Sequence, residues 1–252
     1  MRTSLRVLVP LAAAALPFAV MAAPATAADG GSSYQTTLNP LNHSGGSGMA
    51  TVSVHGTSAD IKVSWTGLPA KFGGGPYPHV QHIHIAGQGS CPTMSDDKNN
   101  DGVISTTEGG PAYGAIGTTL STKGDTSPAA GTNIKIAPGG GSTSYSRTIK
   151  LSSDTLSSLQ DGTGVVVVHG LDPATLSKKA QKEKSDLVPS LPLAATSPAL
   201  CGALSSMPSG GVATGTGSTS GVEDLGMLAV GGGLLALAGG LLVSRRRATA
   251  GA

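Results

Sequence analysis

The run Gly164-Val165-Val166-Val167-Val168-His169 leaves the chain few choices. Consecutive β-branched residues favour extended backbone, because two heavy atoms on Cβ restrict the side chain against a helical turn. A continuous apolar run without alternation reads as a strand buried on both faces. Such a strand needs cover on two sides, so the rest of the chain must supply layers. The run ends on a histidine.

Shorter alternating runs can supply them. Residues 34–41 read as a strand. Residues 49–54 set Ala50, Val52 and Val54 against Met49, Thr51 and Ser53, and residues 60–65 put Ile61, Val63 and Trp65 on one side. Residues 115–121 and 142–151 read as further strands. Residues 67–78 and 125–138 read as loops. Ser153-Asp154 caps a helical turn that reaches Leu159, and Asp172-Pro173 starts a short helix whose Lys178, Lys179, Lys182 and Lys184 form a solvated face. Glycine occupies 38 of 252 positions and charged residues only 12%, a small-residue, turn-rich composition unlike a helical bundle. Eight or so short strands separated by Gly/Pro turns predict an all-β fold, an antiparallel sandwich or barrel. Aromatics are 3%, so the core must be Val, Ile, Leu and Ala and needs stapling.

The chemistry concentrates between residues 80 and 108. In the strand at 80–85, Ile83 and Ile85 face one way, and His82 and His84 the other. Two imidazoles on one face can converge on a metal. The competing reading is a polar patch with each ring bonded to backbone. Further on, Asp97, Asn99, Asp101, the Val103 carbonyl, Ser105 and Glu108 follow the alternate-position spacing of a calcium loop, with Gly102 at the tight turn and Ile104 as apolar anchor. The run Gly109-Gly110-Pro111 is expected to stop any helix after the loop, which makes the loop an insert between strands.

Both ends read as targeting segments. Residues 1–27 form a signal peptide: Arg2 and Arg6, an apolar run, then Ala25-Thr26-Ala27 as cleavage site. Residues 28–204 are the folded domain, and 205–224 a Gly/Ser/Thr-rich linker. Residues 225–243 are apolar enough and long enough for a transmembrane helix. Residues 244–252 carry Arg245-Arg246-Arg247, which should remain cytoplasmic and leave the domain outside the cell. A tail removed by a sortase is the competing reading. In an exported chain an even count of two cysteines favours a Cys91–Cys201 disulfide, and closing so long a loop contributes about 4 kcal/mol.

Two families share these patterns. His82-Ile83-His84 followed by Cys91, then Val166-Val167-Val168-His169, then Leu200-Cys201-Gly202 resembles copper/zinc superoxide dismutase. Gly45 to Gly48, Gly67-Leu68 and the His82–His84 strand resemble chordin-repeat (CHRD) domains. The resemblance implies a Greek-key β-sandwich, a copper site of His82, His84 and His169 with His79 as a candidate fourth ligand, and a bridge from Cys91 to Cys201. The chain departs from the dismutase pattern where the bridging and zinc histidines would stand, since the acidic loop fills that interval. It also lacks the arginine before the last cysteine that draws superoxide in.

Other function classes find no support. A net charge of +2 without a large basic patch argues against nucleic acid. No G-x-S-x-G elbow or phosphate-cradling Gly loop is present. The expectation is therefore an exported, membrane-anchored metal-binding domain with a binding or structural role at the cell surface, holding Ca2+ and copper. A zinc-less copper superoxide dismutase and an extracellular copper store or carrier are the alternatives.

Overall fold

The alternating runs become strands that pair edge to edge. The computed structural model describes residues 31–208. The expected signal peptide, the apolar stretch at 225–243 and the basic tail lie outside the described residues. Among the described residues, no helix is long and apolar enough to cross a membrane.

In chain order the strands are β1 (Ser33–Pro40), β2 (Ser47–His55), β3 (Ser58–Thr66), β4 (Lys71–Phe72), β5 (Gly75–Pro76), β6 (Gln81–Ala86), β7 (Gly114–Thr119), β8 (Ser142–Lys150), β9 (Val165–His169), β10 (Pro198–Ala203) and β11 (Ser205–Ser206). The helices are α1 (Thr106–Tyr113), α2 (Ser153–Gln160) and α3 (Leu193–Thr196). One antiparallel sheet runs in the order β7-β6-β9-β10-β1-β2-β3-β8, with β11 paired to β1. β4 and β5 form a separate small hairpin inside the expected 67–78 loop. β11 lies just past Leu204, where its Ser205 and Ser206 pair with Gln35 and Tyr34.

The sheet curls, because both of its halves bury side chains in one interior. Tyr34 and Leu38 of β1, Val52 of β2, Ile61, Val63 and Trp65 of β3, and Tyr145 and Ile149 of β8 share a cluster with Ile83 of β6, Val166 and Val168 of β9, and Leu200 of β10. The two edges are tied as well. The guanidinium of Arg147 on β8 donates to the carbonyl oxygen of Ser121, just beyond β7, at 2.8 Å. The valine strand sits between β6 and β10 with every residue buried, as a run apolar on both faces requires. Val166 and Val168 face the large interior. Val165 and Val167 face the other way, into a second cluster with Tyr113 and Cys201.

That outer face is covered by the chain between β6 and β7. Cys91 in this insert is joined to Cys201 on β10, across 110 residues of sequence. The insert corrects one expectation: Gly109-Gly110-Pro111 does not stop a helix, because all three lie within α1. A capping box outweighs the proline. Ser105 Oγ accepts from the Glu108 N–H at 3.3 Å, and the Glu108 carboxylate accepts from the Ser105 N–H at 2.8 Å. Pro111 removes one helical donor, but Tyr113 Oη donates back to the Thr106 carbonyl at 2.9 Å and closes the two turns.

Two smaller differences have local causes. The cap of α2 is Ser152, whose Oγ accepts from the Thr155 N–H, one residue earlier than expected. Where a short helix was expected from Asp172, the chain makes two separate 3-10 turns, Pro173–Thr175 and Ala180–Lys182.

Candidate metal centre

Strand pairing assembles the histidines. β6 and β9 are neighbours, with His82 opposite Val167 and His84 opposite Val165. Paired residues share a face, so both rings lie on the outer side with Val165 and Val167. His169 lies on that same face, two residues after Val167, and its N–H continues the ladder to the Val80 carbonyl at 2.9 Å. Three rings separated by up to 87 positions in sequence thus meet, with centroids 5.4 Å (82–84), 5.2 Å (82–169) and 6.0 Å (84–169) apart.

Each ring is held by one nitrogen. His82 donates from Nε2 to the Gly131 carbonyl at 2.9 Å, His84 from Nδ1 to the Gly114 carbonyl at 2.8 Å, and His169 from Nδ1 to the Thr196 carbonyl at 2.7 Å. A carbonyl can only accept, so these bonds assign the proton and leave a lone pair on the other nitrogen. Those three remaining atoms, His82 Nδ1, His84 Nε2 and His169 Nε2, are buried without a hydrogen-bond partner. One ligating atom from each residue lies within 4.8 Å of the others.

Electrostatics keeps the rings neutral. Burial holds His84 down to about 3, with the charge of His169 adding to the effect, and holds His169 down to about 4. Burial, then the neighbouring His169 and His84, holds His82 well below its ordinary value. Neutral imidazole with an outward-facing lone pair is the form that binds metal, and a backbone bond to the other nitrogen is the usual way of orienting it.

Two glycines make the carbonyl contacts possible. Gly114 has φ +88°, and a Cβ there would lie 2.0 Å from the Ile85 carbonyl oxygen. A Cβ on Gly131 would lie 2.5 Å from Ile116 Cδ1 and 3.3 Å from His82 Nε2. Tyr113 of α1 closes over the site, with its ring 4.6 Å from that of His84.

His79 is not part of the group. Its Nδ1 and Nε2 each lie 2.9 Å from a carbonyl oxygen, of His169 and Pro69 respectively, so neither is free for a metal. Its ring packs against those of Trp65 and Tyr77, at centroid distances of 4.9 and 4.7 Å.

The acidic loop is curled by its own backbone. Asp97 accepts from the N–H groups of Asp101 and Gly102, Asn99 from that of Asp101, and Asp101 from that of Val103. Glu108 accepts from the N–H groups of Lys98, Asn99 and Ser105. The carboxylates are thus engaged along the loop, where the imidazoles keep a bare lone pair each. Ile104, the expected apolar anchor of the loop, is fully buried. Buried Asn42 clamps it, accepting from the Ile104 N–H at 2.7 Å and donating to the Ile104 and Pro198 carbonyls. Glu183, distant in sequence, also reaches the loop, accepting from Asn99 Nδ2 at 3.4 Å, and the neighbouring Asp101 carboxyl holds its own above the usual range.

Sequence reading missed the residues that hold the rings. Gly114, Gly131 and Thr196 act through backbone carbonyls, which carry no side-chain signal. Asn42, left-handed at φ 50°, acts on the Ile104 and Pro198 backbone, and no spacing in the sequence marks that role.

Fold and site together define an antiparallel β protein with a buried three-imidazole group that can hold a metal ion. A search against models of protein families finds none that matches the chain, and a comparison with curated proteins finds no match either.

Proposed function

We propose that this is an exported, membrane-tethered metal-binding domain of the Greek-key sandwich type, holding copper at His82, His84 and His169 and calcium in the Asp97–Glu108 loop. One observation carries the reading: three buried ring nitrogens without a hydrogen-bond partner, on three histidines that each offer a ligand atom within 4.8 Å of the others. Each unsatisfied polar atom costs about 1–3 kcal/mol when buried. A cation satisfies all three at once, and imidazole suits copper and zinc.

The strand order supports the Greek-key part. β6-β7 and β1-β2-β3 are consecutive neighbours, while β8 returns beside β3 and β9 beside β6. Copper rather than zinc rests on the resemblance of the His-Ile-His and Val-Val-Val-His runs to the dismutases. The calcium reading rests on ligand order and on the extra carboxylate of Glu183 beside Asp101. A binding role is favoured over turnover because no lysine or arginine among the described residues lines the cavity above the histidines, so no charged side chain there steers superoxide anion towards the metal.

Metal analysis of the purified protein tests this. One equivalent of copper, lost in His169→Ala, together with calcium lost in Asp97→Ala, is the expected result. Superoxide consumption that disappears in His82→Ala would replace the binding role with the dismutase one. Absence of any transition metal after loading with Cu+, Cu2+ or Zn2+ would overturn the centre altogether.

A further inference from the structure

The three histidines form part of the lining of a cavity of about 290 Å3. Its walls are Tyr77, Val80, Ile116, Val188, Leu191 and Ala195, and no aspartate, glutamate, lysine or arginine among the described residues lines it. Phe72, Ile134 and Leu187 also line it and are 46%, 52% and 50% exposed, so they stand where the cavity meets solvent. Only two other large apolar side chains, Met49 and Met94, are comparably exposed among the described residues. Scattered exposed apolar residues need no explanation, but a group of three around one opening marks a place where something apolar docks.

We propose that this cavity binds a small molecule with an apolar body and a single donor atom, of the aryl-azole type, the donor completing the coordination of the metal held by His82, His84 and His169. The inference rests on the metal reading above and names the class of ligand that site takes. Three protein ligands leave a coordination position open to a fourth group. A dication on three neutral imidazoles attracts a neutral or an anionic donor alike, so the walls decide the body of the ligand: a charge set against them would lose its water with no countercharge beside it, whereas an apolar body gains by leaving water. The apolar rim extends the same preference out to solvent.

The test uses the full chain loaded with Co2+, whose visible spectrum reports the coordination shell, after one bound equivalent has been established by elemental analysis. It is titrated with 4-phenylimidazole and with imidazole. The expected result is a Kd for 4-phenylimidazole about tenfold or more below that for imidazole, from burial of the phenyl ring. The double variant Ile134→Ser/Leu187→Ser should keep its cobalt and its affinity for imidazole while binding 4-phenylimidazole about threefold or more weakly. Both positions are exposed, and Phe72→Ser provides an independent second rim variant. Equal affinity for the two azoles, indifference to the rim variants, or a cobalt spectrum that neither azole alters would each overturn this proposal and leave the metal centre standing. Failure to take up any metal would overturn both.

Discussion

At the residue scale the centre is a set of three proton assignments. His82 is held through Nε2, but His84 and His169 through Nδ1, so the metal-facing atoms are Nδ1, Nε2 and Nε2. Replacing His169 by alanine removes one of three donors. Loss of an orienting partner alone typically costs 10- to 100-fold, so affinity should fall by more than about 100-fold, read by competition with a chelator. The same burial makes the metal-free protein sensitive to acid. Unfolded imidazoles take up protons near pH 6.5, while His169 and His84 in the fold resist until about pH 4 and 3. Between these limits the unfolded state binds more protons, so stability falls as pH drops, by about 1.4 kcal/mol per pH unit for each such histidine. Urea unfolding of the metal-free protein should therefore show a clear loss between pH 6.5 and pH 4.5 from these groups. None of this loss should appear above pH 7.

At the scale of elements, the turn from α1 into β7 decides whether the site exists. Gly114 is the first residue of β7, caps α1 and offers its carbonyl to His84. Gly114→Ala puts a methyl group where the Ile85 carbonyl stands, at a backbone angle that a β-carbon disfavours. The strand must shift and take the carbonyl with it. A stability loss of about 1–3 kcal/mol in urea, together with weaker metal binding, is expected. α1 also shows why local rules were insufficient. A proline after two glycines argues against a helix, and reading the sequence by propensity puts a stop there. The Ser105–Glu108 box and the return bond from Tyr113 satisfy enough backbone groups for two turns to form. In the strands local and tertiary preferences agree, and the alternation of Ala50, Val52, Ile61, Val63 and Trp65 could be read directly because every second residue faces the interior.

At the scale of the whole molecule, an outer layer is stapled over a curled sheet. The Cys91–Cys201 bond joins the insert that carries the acidic loop and α1 to a central strand. Reducing it frees a loop of about 110 residues in the unfolded state, which costs about 4 kcal/mol in the chain-entropy model. A marked drop in the thermal midpoint under reductant is expected, and an unchanged midpoint would show that the bridge constrains little. Metal acts in the opposite sense, because the unfolded chain lacks the converged site. Copper at a free concentration 100 times its Kd should add about 2.7 kcal/mol to stability, measured as a shift in the denaturation midpoint, and that gain should vanish in His169→Ala.

Alternation, a β-branched run and paired cysteines are one-dimensional patterns, and each acts through its own stretch of backbone. They sufficed to define strands, an all-β class, a disulfide and the face of β6 that carries two histidines. Which histidine joins that pair depended on β9 lying beside β6, a choice made by burial on both faces of the sheet. Excluding His79 depended on two carbonyls supplied by residues 10 and 90 positions away. The tautomers and the apolar cavity likewise arise from backbone atoms and side chains brought together only by folding, so no periodicity in the chain could announce them.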